Sequence, residues 1–468
     1  MNQVENKRGH FRYTPEKNIA VGFADLLLVF VGFLLSAVIL KGTWQICALL
    51  STAEIACALL SCVFAVLFFW GFEMYSAILL KPYPIVVTSI LSAIYTFICT
   101  FMILFLFTRS ADHLLFLAVG TLVSFLFLCI WHIALYYYYK KWTHRPKMLM
   151  VEKLTDDNSR VRRLKYDCMS HYDAWYEHVD IEDKACVQAF IENIMPDYDV
   201  ICLMETIPFD IRNMFMEAGL RMNKEFYVVP MTYEMNFAKV KLAYLDDVMV
   251  FHLRPTRISA VNMLLKRVMD LVISAAALLI AFVPMCIIAL LIKLTSPGPV
   301  FYKQLRLTKD KKEFYIYKFR SMVQDAEQKT GPALATKDDP RITKVGKWLR
   351  KLRLDELPQL INILKGDMSV VGPRPERPFF IEKYEKEIPN YDKRFMMKAG
   401  LTALSHVYGR YSTDIVDRTH YDLLYVQNYS LLTDIRIILL TSRTLFLKDA
   451  AEGVNTVDHR ETARNKAK

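Results

Sequence analysis

The run Leu271-Val272-Ile273-Ser274-Ala275-Ala276-Ala277-Leu278-Leu279-Ile280-Ala281-Phe282-Val283-Pro284-Met285-Cys286-Ile287-Ile288-Ala289-Leu290-Leu291-Ile292 carries no charge, and its reading decides where everything after it lies. It is long enough to cross the hydrocarbon core, which takes about 20 residues. Basic residues stand on both sides, Lys266 and Arg267 before it and Lys293 after it. Pro284, near the middle, removes a backbone donor and kinks a helix. Two readings stay open on these residues. Either the run is a fifth membrane span with a proline kink, or it enters the membrane and returns to the same face. In the first case the rest of the chain lies outside the cell.

Upstream, four apolar runs at Ile19–Leu40, Ile55–Phe72, Pro84–Phe107 and Leu114–Tyr136 read as transmembrane helices. Lys7, Arg8, Arg12 and Lys17 precede the first, and Lys140, Lys141, Arg145 and Lys147 follow the last. An even number of spans puts both flanks on one side, which the positive-inside bias makes the cytoplasm. The first run is too long for a cleavable signal peptide. Tyr136–Tyr139 and Trp142 read as an interfacial aromatic belt, and Asp25 and Glu54 as solvated positions near span ends.

Between about 146 and 255 short β-like runs alternate with helical stretches. Strands are expected at Lys147–Val151, Asp199–Met204, Glu225–Pro230 and Val248–Leu253, with helices near Asp183–Ile194 and Asp210–Met222. The pattern is a Rossmann-like α/β module. A dinucleotide site, however, needs glycines after the first strand, and here the chain reads Val151-Glu152-Lys153-Leu154-Thr155. A structural or regulatory module fits better than a cofactor site.

The composition agrees with a mixed membrane protein. Of 468 residues 54% are hydrophobic, too many for an ordinary soluble enzyme, and 23% are charged, too many for a purely membrane-buried transporter. The net charge of +11 admits nucleic acid, an anionic membrane surface or phosphorylated substrates as partners. Four spans argue against nucleic acid. The 9 cysteines are scattered and odd in number, without a C-x-x-C, so neither a disulfide framework nor a zinc site is indicated. His406, Cys202 and the methionine-rich stretches read as core. The domain plan is 1–145 for four transmembrane helices, 146–255 for the α/β module, 256–448 for the membrane run with an α/β catalytic domain, and 449–468 for a disordered tail.

The chemistry concentrates after the run. Lys303–Arg320 holds seven basic residues against two acidic ones, and Arg341–Arg353 six against none. Val345, Trp348, Leu349 and Leu352 recur there at helical spacing beside Lys344, Lys347 and Lys351, the pattern of a helix lying in a membrane interface, with a merely solvated basic face as the alternative. Then comes Leu354-Asp355-Glu356-Leu357-Pro358-Gln359-Leu360-Ile361-Asn362-Ile363-Leu364-Lys365-Gly366. Asp355 is placed as an N-cap, Pro358 in the first turn, and Gly366 as the stop. That is a sufficient capping pattern without any function. Alternatively, a helix N-terminus near Arg350, Lys351 and Arg353 keeps Asp355 ionised and draws phosphate to it. A carboxylate so placed can attack phosphorus, while Glu356, about 100° further round, holds a divalent cation. Met368–Val371 reads as a strand running into Gly372-Pro373-Arg374-Pro375, where prolines restrict the direction in which Arg374 points.

Ser296-Pro297-Gly298-Pro299-Val300-Phe301, Tyr317-Lys318-Phe319-Arg320-Ser321-Met322, Leu354-Asp355-Glu356-Leu357-Pro358-Gln359-Leu360 and Lys365-Gly366-Asp367-Met368-Ser369-Val370-Val371-Gly372-Pro373-Arg374-Pro375 together closely resemble the bacterial sugar transferases. These are the monotopic phosphoglycosyl transferases, and the whole chain looks like their large subclass, which starts capsule, exopolysaccharide or O-antigen assembly. The resemblance implies a re-entrant helix broken at Pro284, with the catalytic domain on the cytoplasmic face of the bacterial inner membrane. Residue 283 is valine where the family usually has serine. It also implies Asp355 as nucleophile on the sugar-linked phosphate of a UDP-sugar, UMP release, and undecaprenyl phosphate as acceptor. Glu356 becomes the Mg²⁺-associated acid, and Lys318, Arg320, Arg350 and Arg374 the cations around phosphate. A homodimer is a further implication.

One segment departs from the family pattern Lys-Pro-Gly-[Leu/Ile]-Thr-Gly-x-x-Gln-Val: Ala399, Ala403 and His406 replace its proline, glycine and glutamine. The departure bears on donor specificity. It also keeps alive a non-enzymatic scaffold or regulator of polysaccharide assembly, and beside it a glycosyltransferase that releases UDP.

Overall fold

The structure is a computed structural model describing residues 15–42, 50–75, 82–142, 147–153, 173–179, 183–230, 241–245, 248–252, 258–323, 339, 341–409 and 414–446. The basic stretch Lys7–Arg12, the turn at Leu154-Thr155 and the tail from 449 to 468 lie outside the described residues. The chain divides into two units, 1–234 and 235–468.

The first unit opens with four apolar helices, α1 (Pro15–Lys41), α2 (Thr52–Gly71), α3 (Pro82–Thr108) and α4 (Leu114–Trp142). Each is long and apolar enough to cross a membrane. They share one core, in which Phe33, Phe69, Ile85 and Leu117 are buried. Asp25 is not a solvated end residue, as expected from its position. It is 1% exposed, and its Oδ2 lies 3.2 Å from His132 Nε2 across α1 and α4. Glu54 is also buried. It accepts from the Ser51 amide in a capping box at the start of α2 and from Lys41 at 2.7 Å. Both carboxylates are thus matched by partners inside the unit, as burial of charge requires.

The rest of this unit is a four-stranded parallel sheet, β1 (Lys147–Lys153), β2 (Asp173–Val179), β3 (Val200–Leu203) and β4 (Glu225–Val228), in the order β2-β1-β3-β4. Helices α5 (Lys184–Asn193) and α6 (Phe209–Arg221) lie between strands in sequence. Leu149, Val151, Ile201 and Leu203 are fully buried and pack with Val187 and Phe215. Such continuous apolar strands are what a covered parallel sheet demands. Cys202 is in this sheet and buried, as read.

The second unit begins with a hairpin, β5 (Lys241–Leu245) and β6 (Val248–His252), followed by α7 (Ala260–Thr295). This helix of 36 residues runs through Pro284 without interruption, so the break expected there is not an end of helical structure. Both halves of α7 are joined to one body. In the first half Lys266 Nζ donates to Asp434 Oδ2 (2.6 Å) and to the Val371 carbonyl (2.8 Å), and Asp270 accepts from Ser369 and from the Val370 amide. In the second half Met285, Ile288 and Ile292 pack on Phe319 and Leu349. Between them Leu279, Ile280, Phe282 and Val283 are exposed.

That body contains the hairpin β7 (Phe301–Leu307) and β8 (Glu313–Phe319), helices α8 (Lys344–Lys351) and α9 (Gln359–Lys365), and the parallel pair β9 (Met368–Val371) and β10 (Ala399–Thr402). Helices α10 (Pro378–Glu387), α11 (Leu404–Val407), α12 (Ile415–Gln427) and α13 (Leu431–Phe446) complete it. On α8, Leu349 is buried, while Trp348 is 71% exposed. The apolar stripe read for this helix is therefore shared between the core and the outside.

Candidate active site

Asp355 and Glu356 lie in a single 3₁₀ turn, Leu354–Glu356, and not at the N-terminus of an α-helix. Pro358 is the N-cap of α9, and Gly366 closes that helix with φ +94°. The expected N-cap role of Asp355 is therefore corrected. The turn is entered through Arg353, whose φ of +54° is left-handed. For a non-glycine residue that conformation costs roughly 1–2 kcal/mol. It separates α8 from the turn that carries the two successive acids.

The cations come from three other elements. Lys318, near the end of β8, puts Nζ 2.8 Å from Glu356 Oε1. Arg374, in the loop after β9, brings a terminal nitrogen to 3.9 Å from the same oxygen. Arg350 of α8 acts on Asp355 through its charge. Asn362 holds the frame together. It accepts from the Tyr317 amide at 3.0 Å and donates to the Tyr315 carbonyl at 2.8 Å, so α9 is stitched to the strand that carries Lys318. Arg267 of α7 donates to the carbonyls of Ile363 and Leu364, capping the C-terminal end of α9.

The electrostatics separate the two acids. Burial drives the Asp355 carboxyl above its ordinary range and the neighbouring Glu356 adds to that, while Lys318 and Arg350 pull against it; the net direction is upward. Lys318 and Arg350 thus act on Asp355 in the expected sense, favouring its ionised form, while burial sets the net direction of the shift. Burial works on Glu356 in the same sense, but Lys318 and Arg374 overcome it and hold Glu356 well below the carboxylate range. One acid is therefore a firm anion, and the other is a more basic carboxylate.

Arg374 is placed by its backbone. Prolines flank it, Arg306 donates to the Pro375 carbonyl at 2.9 Å, and Arg394 donates to the carbonyl of Arg374 itself at 2.7 Å. Buried Arg394 is in turn paired with Asp422 at 2.7 Å. Gly372 and Gly400 meet here: a Cβ on Gly400 would stand 2.1 Å from the Gly372 nitrogen, so both positions exclude a side chain. His406 is not simply core, as expected, because its Nε2 is hydrogen-bonded to Arg374.

Arg320 is not gathered to the acids. It is 7% exposed, and its terminal nitrogens donate to the Ser296 and Pro297 carbonyls and to Ser296 Oγ, fixing the chain where α7 ends. Pro284 lies in α7. Arg267, Asn362, Arg394 and Asp422 belong to the site or its frame and were given no role from the sequence, whereas His406 had one signal, its departure from the family loop.

For a divalent cation the fit rests on Glu356. Among the described residues no cluster of three or more His, Cys, Asp and Glu side chains is present. Magnesium, however, is commonly held by one or two carboxylates together with substrate phosphates. Lys318 and Arg374 both approach Oε1 of Glu356.

A body with a firmly anionic and a half-buried, more basic carboxylate side by side, with Lys318, Arg350 and Arg374 around them, has the charge arrangement suited to phosphate chemistry. A family model described as bacterial sugar transferase matches residues 261–448. The UDP-N-acetylgalactosamine-undecaprenyl-phosphate N-acetylgalactosaminephosphotransferase of Aeromonas hydrophila is 41% identical over 210 residues, 44% of this chain and 49% of that protein. The UDP-glucose:undecaprenyl-phosphate glucose-1-phosphate transferase of Escherichia coli (strain K12) is 40% identical over 229 residues, 48% of this chain and 49% of that protein. The exopolysaccharide production protein PSS of Rhizobium leguminosarum bv. phaseoli is 44% identical over 188 residues, 38% of this chain and 94% of that protein. The match spans about half the length of the first two relatives. The chain belongs to the bacterial sugar transferase family.

Proposed function

We propose that this chain transfers a hexose-1-phosphate from a UDP-sugar to undecaprenyl phosphate, releasing UMP, through a covalent intermediate on Asp355. The observation that carries the reading is the contrast within one turn between half-buried, more basic Asp355 and Glu356 anchored by Lys318 and Arg374. An Asp355 carboxylate oxygen attacks the sugar-linked phosphorus, the bond from that phosphorus to the UMP oxygen breaks, and UMP leaves. A phosphate oxygen of the lipid then attacks the same phosphorus, the bond to Asp355 breaks, and the carboxylate is regenerated. Lys318, Arg350 and Arg374 offset the charge that accumulates on the phosphates. Mg²⁺ held at Glu356 would supply further neutralisation of phosphate charge.

The re-entrant reading of α7 belongs to the same proposal. A helix of 36 residues is about 54 Å long at 1.5 Å per residue, well beyond a hydrocarbon core of about 30 Å. Polar anchors at Lys266 and Asp270 and the contacts of Met285–Ile292 tie both halves to a single body, which has room on only one side of a membrane. The apolar side chains exposed along α7, Leu264, Val272 and Leu290 as well as Leu279 and Ile280, are the face given to lipid. The basic segments Lys303–Arg320 and Arg341–Arg353 favour the cytoplasmic face. This depth brings the carboxylates to the layer where a lipid phosphate lies.

The test is a panel of UDP-sugars given to membranes containing the full chain and undecaprenyl phosphate. Wild type is expected to release UMP with at least one donor and to trap label from the sugar-linked phosphate. Asp355→Asn is expected to do neither. UDP release, or full turnover by the variant, overturns the mechanism; no label and no turnover with any donor favours a scaffold.

A further inference from the structure

We infer that His406 is a positioning residue: by accepting a hydrogen bond from Arg374 it fixes that guanidinium so that its other terminal nitrogen faces Glu356. The inference rests on the reading of the Asp355–Glu356 turn as the site of transfer.

The two contacts belong to different nitrogens of one planar group. One terminal nitrogen of Arg374 meets His406 Nε2, and the other stands 3.9 Å from Glu356 Oε1. A guanidinium only donates, so Nε2 is the acceptor, and the ring in this arrangement is neutral with its proton on Nδ1. The surroundings agree. Burial, then Arg374 and Arg353, hold the imidazole well below its ordinary range, although Glu356 acts in the opposite sense.

Without that acceptor the aim of the side chain is lost. The backbone of Arg374 is clamped by Pro373, Pro375 and the donation from Arg394, but its side chain is 38% exposed and long. A long, rotamer-rich side chain left free samples many positions, and a cation wandering by an ångström weakens its hold on developing phosphate charge. His406 is itself held in place, because the short helix α11 sets its amide on the Ala403 carbonyl at 2.9 Å.

The test uses the full chain in membranes and measures kcat and KM for UMP release, with thermal stability followed in parallel. His406→Leu is expected to lower kcat about tenfold or more, the scale of a lost hydrogen bond to a charged group, with KM for the donor changed less. His406→Gln, whose amide oxygen also accepts, is expected to recover most of that loss. In an Arg374→Ala background, His406→Leu is expected to add less than about twofold, because its partner is already gone. Should His406→Leu fail to accumulate, His406→Phe, a ring without an acceptor, replaces it. Wild-type kcat in the Leu or Phe variant, failure of Gln to recover the rate, or an undiminished further loss in the Arg374→Ala background would each overturn the inference alone. Absence of UMP release by wild type overturns the transfer reading and this inference with it.

Discussion

Lys318 Nζ stands 2.8 Å from Glu356 Oε1, and this contact joins the edge of a β-hairpin to the turn that carries both acids. The Lys318 side chain is 22% exposed and that of Glu356 17%, so the pair is shielded enough to matter more than a surface ion pair. Lys318→Met should lower kcat for UMP release by about 10²–10³, the scale for losing one preorganised electrostatic donor. Steady-state rates in membranes check this; a variant within about threefold of wild type would remove Lys318 from the site.

The acids predict a pH profile. In the proposed mechanism Asp355 attacks as an anion, and its pKa is raised above 3.8, first by burial. The rate should therefore fall as pH drops through a value above 3.8, while Glu356, shifted downward, stays ionised across the same range. Glu356→Gln removes a like charge beside Asp355, so the acid limb of the residual activity should move to lower pH. A limb that stays in place would mean that another group controls it.

Much of this architecture was legible beforehand, and the limits have physical causes. Apolar runs of membrane length and the strand Met368–Val371 are local patterns, and the structure has them where periodicity puts them. Asp355, Glu356 and the cations of neighbouring segments were visible because charge density and turn residues are local too. Lys266 and Asp434 are 168 residues apart in sequence, and Asp25 and His132 are 107 apart, so neither pair had a local signature. Arg320 shows the converse problem. One more arginine in a basic run reads like its neighbours until the fold turns it to the Ser296 and Pro297 carbonyls.

The buried pair of Lys266 and Asp434 yields a stability prediction. Lys266 is 6% exposed and Asp434 0%, and Tyr425 donates to the second carboxylate oxygen at 2.7 Å. Removing one partner strands a charge, so Lys266→Met should destabilise the second unit by about 3–5 kcal/mol. Lys266→Met combined with Asp434→Leu should cost less than the sum of the two single changes. Thermal unfolding in detergent measures both, and strict additivity would show that the two groups are not coupled.

Gly346 predicts how tightly α8 must dock. A Cβ there would stand 1.9 Å from the Ser321 carbonyl oxygen, which also accepts from the Thr343 amide at 3.1 Å. Gly346→Ala must therefore push α8 away, at roughly 1–3 kcal/mol for overpacking. Because α8 carries Arg350, kcat should fall as well. A thermal midpoint and rate equal to wild type would contradict the close approach.

Topology offers the last prediction, because the two readings of α7 place its ends differently. In a cysteine-free background, single cysteines replacing Asn262 and Thr295 mark the two ends of the helix. If α7 crosses the membrane, an impermeant thiol reagent applied to intact cells reaches one of them. If both halves rest on one body at the cytoplasmic face, the proposal that the anchors at Lys266 and Asp270 and the packing of Ile288 and Ile292 on Phe319 and Leu349 support, neither reacts until the cells are permeabilised, and then both do. Reaction of either position in intact cells would overturn the re-entrant reading, and reaction at Thr295 would put the carboxylates that follow it on the outer side, away from any cytoplasmic donor, which no arrangement of the site residues could repair.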